Sequence, residues 1–311
     1  NSVIAYDLSD ILKDSAKKIE NIGKVFDGSK RQKGNGFFVH GVGVGGLIWR
    51  LRLHDGNKNF LPQIRKEILE KIIALTKKFD PILALDRGND DGKLFEYLLE
   101  KSVKFIIRLN KNRNIIIEET GEVLSIEVLK PGRYKILIPS DDTKQRKKPE
   151  YKKYILIVWK NKKFKTPMRL LCSSDMNAFS SSEIIGFSLE RWRLENSFKH
   201  VKQGLDLERI RVLKFKKFQN LVSLMHLCTL LSDFLLKKLK DNMKNFLHDS
   251  LNQLFIAYQK FKKNYCRTTN PHSFLVFLRT IFPEFCVHRK FPKPKSQTSL
   301  LYLLNQKLKL S

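Results

Sequence analysis

The segment Ser188 to Lys202, SLERWRLENSFKHVK, places a carboxylate, Glu195, among arginines, lysines and large rings. An α-helix turns about 100° per residue, so Ser188, Arg191, Glu195 and Lys202 fall on one stripe of its surface. Taken alone, an Arg–Glu pair four residues apart on a helix is more often a stabilising surface ion pair than a site of chemistry. The segment therefore needs partners elsewhere in the chain before it indicates a reaction.

Two further carboxylates follow apolar runs that have the character of buried strands. Asp7 follows VIAY and Asp86 follows ILAL, and we expect both at strand ends. A sheet presents side chains to a ligand at its strand ends, where the backbone stays fixed. If the strands are neighbours and the helix packs across them, Asp7, Asp86 and Glu195 converge. Three such carboxylates would bind hard divalent cations, because Mg²⁺ prefers oxygen ligands and needs few from the protein.

Neighbouring residues offer alternatives to this set. Asp10, Asp90 and Asp91 lie close to the proposed ligands in sequence and would replace them in another register. We interpret them instead as turn residues or caps. The run GVGVGG at 41–46 lacks the Gly-Lys-Ser/Thr of a phosphate loop, so it is better explained as a turn between strands.

The elements that must position these residues follow from the hydrophobic pattern. SVIAYD predicts a strand ending at Asp7, and NGFFVHGVGVGGLIWRLRL predicts two strands joined near Gly45–Gly46, which together indicate an antiparallel meander. Next come a helix over 61–78, the strand PILALD, a helix over about 92–101 and the strand VKFIIRL. The order indicates an α/β core.

The pattern changes at Asn114, where strand-like runs broken by polar turns continue to Ser173 and predict a β-rich insertion. The serines at 180–182 are good N-cap residues, and a helix is predicted from there to about Gln203. Most of 214–263 also has helical spacing. The predicted architecture is an α/β core with a β-rich insertion and a helical C-terminal region.

The overall charge points to the partner. Sixty Lys and Arg against 31 Asp and Glu give a formal net charge of +29, and we expect the resulting positive potential to attract a polyanion. Hydrophobic residues make up 42% of the chain, so the charge belongs to a folded protein and not to a basic tail. The four cysteines form no C-x-x-C pair, which gives no support to a zinc site or a disulfide framework and fits a reducing, cytosolic setting.

No segment predicts membrane insertion or secretion. The longest apolar stretch, 221–236, contains Ser232 and Asp233 and is short for a bilayer span of roughly 20 residues, so it predicts a buried helix. A signal peptide pattern is missing at the start. The chain begins at Asn1 inside an apolar run, and we expect that an upstream segment is missing from this copy.

Three blocks of the sequence resemble those of DDE insertion-sequence transposases that carry the Tyr-x2-Arg-x3-Glu-x6-Lys signature. These blocks are IAYDLSDI with NIGKVFDGSK, LDRGNDDG followed by FIIRLNKNR, and RWRLENSFKHVK. Arg191, Glu195 and Lys202 match the signature's spacing, and the resemblance covers roughly Val3 to Leu239. It implies an RNase H-like fold, a mixed sheet flanked by helices, with a β-rich insertion before the helix that bears the glutamate.

The resemblance also implies roles for individual residues. Asp7, Asp86 and Glu195 would be the catalytic triad that binds two Mg²⁺ ions, with Mn²⁺ as a substitute. Arg191 and Lys202 would contact DNA phosphates near the cleaved end. Two further residues join these DNA contacts: Arg108, which matches a family arginine, and Ser188, which stands at the signature tyrosine and can still donate a hydrogen bond.

The implied function is metal-dependent cleavage and strand transfer of double-stranded DNA, acting on transposon ends and a target. We expect a cytoplasmic, nucleoid-associated protein without membrane contact, and a homodimer when two ends are brought together. Two alternatives stay open. One is a truncated, catalytically inactive DNA-binding relic, which Ser188 and the missing N-terminal recognition region favour, and the other is a general nuclease on the same fold.

The predicted domain organisation has four segments. Residues 1–113 form the first part of the RNase H-like core, and 114–179 form the β-rich insertion. Residues 180–212 contain the core helix that carries Glu195, and 213–311 form the C-terminal helical region.

Overall fold

The computed structural model describes residues 2–13, 16, 18–27, 32–55, 60–141, 149–161, 166–204, 207–208 and 210–242. The chain divides into two compact units, 1–230 and 231–311. All the described strands lie in the first unit. Of the second unit, only residues 231–242 are described, and they are helical.

The described part of the first unit contains a mixed sheet of eleven strands. Its strands are β1 Val3–Leu12, β2 Gly23–Asp27, β3 Gln32–Val44, β4 Leu47–Leu53, β5 Ile82–Leu85, β6 Lys104–Arg108, β7 Asn114–Ile117, β8 Val123–Ser125, β9 Gly132–Pro139, β10 Tyr151–Trp159 and β11 Met168–Ser173. Their order is β2-β3-β1-β5-β6-β11-β10-β9-β7-β8, and β4 pairs with β3.

The centre of the sheet has the RNase H-like arrangement. Strand β1 pairs antiparallel with β3 on one side and parallel with β5 on the other, and β5 pairs parallel with β6. All four residues of β5 are buried, as expected for a short apolar strand that is covered on both faces. The fold class predicted from the sequence is confirmed. The early strands form the predicted antiparallel arrangement, with β2 as an additional strand beside β3.

The prediction that the first strand ends at Asp7 is wrong. Strand β1 continues to Leu12, because it stays paired with β3 as far as Leu12 opposite Gly36. Its parallel pairing with β5, in contrast, stops at Tyr6 opposite Leu85. Asp7 therefore lies inside a strand, at the point where its parallel neighbour has ended.

The β-rich insertion extends the central sheet. Strand β11 pairs antiparallel with β6, and β10 and β9 follow in the same sheet. Strand β6 is consequently an interior strand. The β-rich character predicted from Asn114 onward agrees with the structure, and the proposed four-segment division stays a prediction.

Four helices accompany the sheet: α1 Leu61–Thr76, α2 Gly92–Glu100, α3 Ser181–Gly204 and α4 Phe215–Asn242. The start of α3 is fixed by a capping box, in which the Glu183 amide donates to Ser180 Oγ (3.3 Å) and the Ser180 amide donates to Glu183 Oε2 (2.8 Å). Ser180 Oγ also donates to Glu183 Oε2 at 2.7 Å, and this bond, together with the one from the Ser180 amide, lowers the pKa of Glu183. The rest of the predicted helix over 214–263 lies outside the described residues. No helix in the described part of the chain is long and apolar enough to cross a membrane.

The two faces of the sheet bury separate apolar cores. On β1 the side chains of Ile4 and Tyr6 join a core with helices α1 and α2, whereas Ala5, between them, joins a core with α3 and α4. Asp7 has the same parity as Ala5. The alternation of side chains along the strand therefore directs Asp7 to the face that α3 covers.

Two glycines of the run GVGVGG allow α3 to lie close to strand β3. A Cβ added at Gly41 would overlap the Phe198 ring, and one added at Gly43 would meet a Leu194 methyl group. Gly45 and Gly46 form the turn between β3 and β4 with positive φ angles of 58° and 87°. The run therefore serves as a strand turn, as predicted, and also as a close packing surface for the helix that carries Glu195.

Candidate active site

Asp7 and Asp86 occupy equivalent places on neighbouring parallel strands. Each directly follows the last residue paired between β1 and β5, which are Tyr6 and Leu85. Asp7 is buried, with 8% of its surface exposed, and Asp86 is half-buried at the start of a short 3-10 turn over Arg87–Asn89. The sheet thus places two carboxylates side by side, just beyond the point where the parallel pairing of β1 with β5 ends.

Helix α3 adds the third carboxylate through a buried arginine. Arg191 is 5% exposed, and its Nη1 atom donates to Asp7 Oδ1 at 3.4 Å and also to Glu195 Oε1. The Glu195 side chain itself is 45% exposed. The Arg191–Glu195 pair is therefore no ordinary surface ion pair, because the same guanidinium also holds the buried carboxylate of Asp7.

The electrostatics of Asp7 reflect this crowding. Burial is the main cause that raises its pKa, to about 7, and the negative charges of Asp86 and Glu195 raise it further. Arg191 opposes this increase, as does a hydrogen bond from the Leu8 amide. A carboxyl group that titrates near neutrality would gain from an additional cation close by.

A cavity of about 540 Å³ opens beside these groups. Its lining residues are Asp86, Arg87, Gly88, Asp90, Arg108, Asn110, Arg191 and Glu195. The pKa of Arg108 is lowered, mainly by burial and then by the positive charges of Arg87 and Arg191. Neither Arg87 nor Arg108 forms an ion pair with another described residue. The cavity therefore combines carboxylates with two guanidinium groups that are available to an anion.

The other predicted site residues lie outside this lining. Lys202 pairs with Asp10, with 3.4 Å between Nζ and Oδ1, farther along α3. Ser188 is half-buried in the N-terminal half of α3 and does not line the cavity. The structure brings Asp86, Arg108, Arg191 and Glu195 to one cavity, with Asp7 behind Arg191.

The carboxylates considered as alternatives have structural partners. Asp10 pairs with Lys202. Asp90 Oδ1 accepts from Arg113 Nε at 2.7 Å, and Asp90 Oδ2 accepts from the Asn110 amide at 2.7 Å. Asp91 caps α2 by accepting from the Lys93 amide at 3.1 Å. These contacts support the interpretation of Asp90 as a turn residue and of Asp91 as a cap. The same interpretation is wrong for Asp10, because this residue lies within strand β1 opposite Phe38.

Sequence reasoning missed Arg87 and Asn110 as cavity residues. Arg87 directly follows Asp86 in LDRGNDDG, and Asn110 follows the strand that ends with Arg108. Only their position in the sequence could have indicated this role. Both lie in the loops that follow the parallel strands β5 and β6, where such sheets bind ligands. Nothing in their residue type distinguished them from ordinary loop residues.

The donor set fits a divalent cation in its chemistry, since Asp7, Asp86 and Glu195 supply only carboxylate oxygens. Among the described residues, however, no group of three or more His, Cys, Asp or Glu side chains is already arranged to hold a metal ion. Arg191 lies against Asp7 and Glu195 and occupies the space between them. A cation at these oxygens must therefore compete with the Arg191 guanidinium.

The Transposase DDE domain family matches residues 20–231, a span that contains Asp86, Arg108 and the segment from Ser188 to Lys202 but begins after Asp7. No curated protein sequence matches the chain.

Among solved structures, the chain is similar to the cryo-EM structure of the piggyBac transposase synaptic complex with hairpin DNA. The identity is 11% and the TM-score 0.48, and the similarity covers 99% of this chain. The chain spans 62% of the length of that transposase chain. Since the family match extends over more than half of its residues, the protein belongs to the Transposase DDE domain family.

Proposed function

We propose that this member of the family is a transposase that cuts double-stranded DNA at the ends of an insertion sequence and joins the freed ends to target DNA, with divalent metal ions. The observation that carries the proposal is that Arg191 joins the buried Asp7 to Glu195, next to a cavity lined by Asp86, Arg87 and Arg108. Carboxylates and guanidinium groups together suit a phosphodiester held beside metal ions.

Asp7, Asp86 and Glu195 would hold the ions, two Mg²⁺ or Mn²⁺ in their place. Bound there, such ions would activate the attacking oxygen and stabilise the leaving oxygen of an in-line displacement. In the first reaction, water attacks the phosphorus and the bond to the 3′ oxygen breaks, which leaves a free 3′-hydroxyl. In the second, that hydroxyl attacks a target phosphodiester and displaces its 3′ oxygen.

The cationic side chains bind and orient the DNA strand in this proposal. Arg87 and Arg108 contact non-bridging oxygens of the phosphate in the cavity, since guanidinium groups match phosphate geometry. Arg191 contacts Asp7 and Glu195 and also lines the cavity, so it would turn toward the phosphate if those carboxylates held a metal ion. Lys202 and Ser188, farther from the cavity, contact the strand on either side.

Double-stranded DNA, as transposon ends and target, is the proposed partner, and the net charge of +29 supports it. Each phosphate contact adds about one to the slope of binding against salt on logarithmic axes, so many modest contacts would set the affinity. We further propose that two copies form a homodimer when two ends are brought together, and that the protein resides with the nucleoid DNA in the cytoplasm.

The test is cleavage of a duplex bearing the element's own ends, in Mg²⁺ or Mn²⁺, by the parent chain and by Glu195→Gln. The proposal predicts that the substitution abolishes cutting and leaves salt-sensitive DNA binding intact. Glu190→Gln is the matched control, because Glu190 lies on the same helix but pairs at 3.0 Å with the exposed Arg193. Cutting that survives in Glu195→Gln would refute the assigned role.

A DNA-binding relic without catalysis is the second candidate, and Ser188 favours it. Serine stands where the signature has tyrosine, and the structure places it outside the cavity lining. The relic predicts salt-sensitive DNA binding by the parent chain without cutting in either metal. Recovery of cutting by Ser188→Tyr would show that the loss of the tyrosine is the cause.

A further inference from the structure

The carboxylate of Asp86 is held by a buried amide three residues later in the chain. Asn89 is only 3% exposed, and its Nδ2 atom donates to Asp86 Oδ1. The Asn89 backbone amide also donates to the Asp86 carbonyl oxygen at 3.1 Å, which closes the short turn. Burying an amide group is costly unless it is hydrogen-bonded, so the position of Asn89 depends on these contacts.

Arg65, on helix α1, fixes which way the Asn89 amide points. Its Nη1 atom donates to Asn89 Oδ1 at 3.4 Å, and its Nη2 atom donates to Asp91 Oδ2 at 2.6 Å. A guanidinium group can only donate, so the amide atom that faces it must be the oxygen. The Asn89 NH₂ group is therefore directed at Asp86.

The rest of the turn is anchored just as firmly. Asp90 accepts from Arg113, and Asp91 caps α2 while it also binds Arg65. Gly88 leaves room for the carboxylate, because a Cβ there would lie 3.3 Å from both Asp86 oxygens. Three consecutive residues after Gly88 thus bind three different parts of the fold, and the turn holds Asp86 in one orientation.

We propose that Asn89, oriented by Arg65, is a positioning residue that occupies one oxygen of Asp86 and presents the other to a divalent cation. This inference rests on the proposed function, because it takes Asp86 as a metal ligand. Hydrogen bonds that orient a ligand typically change metal affinity by about 10- to 100-fold when they are removed. Asn89 acts only through Asp86 and has no contact with substrate in this proposal.

The experiment measures Mn²⁺ binding to the full chain without DNA, by calorimetric titration, and the thermal unfolding temperature of each variant. Asn89→Leu, which has a similar volume and no polar atoms, should weaken Mn²⁺ binding about 10- to 100-fold. Cleavage at limiting Mg²⁺ should fall with it and recover at saturating Mg²⁺. The control is Ile68→Val, a core truncation on the same helix as Arg65, which should lower the unfolding temperature and leave Mn²⁺ affinity unchanged.

Arg65→Lys provides a second variant, which keeps the positive charge but cannot donate to Asn89 and Asp91 at the same time as the guanidinium does. It should weaken Mn²⁺ binding several-fold. It carries the test if Asn89→Leu does not fold. Unchanged Mn²⁺ affinity in the folded variants would overturn the positioning role, even if their stability fell. Asp86→Ala distinguishes a failure of the positioning role from a failure of the proposed function. If Asp86→Ala left Mn²⁺ binding unchanged, the proposed metal site itself would be overturned and the inference with it.

Discussion

The two sides of the candidate site are built in different ways. On the sheet side, Asp7 lies within a paired strand and Asp86 in a turn that Arg65, Arg113 and the start of α2 hold in place. On the helix side, Glu195 is 45% exposed and is held by an ion pair to Arg191. The sheet side is therefore arranged before any ligand arrives, whereas the helix side must rearrange around Arg191. Four variants would break or sharpen this contrast.

The largest effect is expected on the sheet side, from Asp86→Asn. The change preserves the shape of the side chain and removes a charged metal ligand, so cleavage should fall about 10³-fold or more. DNA binding in a mobility-shift titration should change little, because the basic surface is untouched. Cleavage within a few-fold of the parent would show that Asp86 is not a ligand.

The next effect is a pH-dependent change in stability from Asp7→Asn. The pKa of Asp7 is raised in the folded state to about 7 from an ordinary 3.8, so its stabilising contribution is complete below pH 4 and is lost as the pH rises toward 7. Asparagine does not ionise, so the variant does not lose this contribution as the pH rises. It should therefore gain stability relative to the parent between about pH 4 and 7, by ~4 kcal/mol at most, since one pKa unit corresponds to ~1.4 kcal/mol.

Urea unfolding of both proteins across this pH range measures the difference. A constant difference in the free energy of unfolding would contradict the raised pKa. Added Mg²⁺ at pH 8 should stabilise the parent more than the variant, because Asp7 is a proposed ligand only in the parent.

On the helix side, Gly41→Ala should lift α3 from the sheet. The new methyl group overlaps the Phe198 ring, and overpacking of this kind costs roughly 1–3 kcal/mol in the free energy of unfolding. The cleavage rate of the variant should fall together with its stability, since the same helix carries Glu195. The matched control is Gly186→Ala, where the added Cβ meets no atom within 4 Å beyond the neighbouring backbone of its own helix, and α3 should gain about 0.5–1 kcal/mol.

A second substitution identifies the contact responsible. In the double variant Gly41→Ala with Phe198→Leu, the smaller side chain should restore part of the lost stability, as measured by thermal unfolding. If Gly41→Ala were neutral, the close approach of α3 to β3 would not determine the position of Glu195.

The smallest effect is expected from Arg193→Ala, which removes an ion pair on the solvent side of the same helix. The Arg193 side chain is 63% exposed, and such surface pairs contribute about 0.2–1 kcal/mol. Thermal unfolding should shift by no more than a few degrees and cleavage should stay near the parent rate. A large loss of cleavage would place Arg193 in the DNA contact surface.

Local signals in the sequence predicted much of this site. The apolar run ILAL placed Asp86 at the end of a buried strand, and the serines before α3 marked its start. The error at Asp7 came from a distant partner, since β1 continues only because β3 pairs with it. Pairing between segments that are far apart in sequence leaves no signature within either segment alone.

The arrangement around Arg191 and Asn89 could not be predicted for a similar reason. Helical spacing shows that Arg191 and Glu195 share a face, but the contact of Arg191 with Asp7 joins residues 184 positions apart. The link from Arg65 to Asn89 also depends on how α1 packs against the sheet. Arg87 and Asn110 were missed because their roles follow from which strands are neighbours.

The pairing of β6 with β11 has a consequence for the solution behaviour of the protein. Without that pairing, β6 would be an edge strand with unpaired backbone amides and carbonyls. Such an exposed edge readily pairs with strands from other molecules. The added strands move this edge away from the candidate site, to β8, a strand of only three residues. Shortening the protein by deleting the inserted strands should therefore cause aggregation before it changes the geometry of the carboxylates.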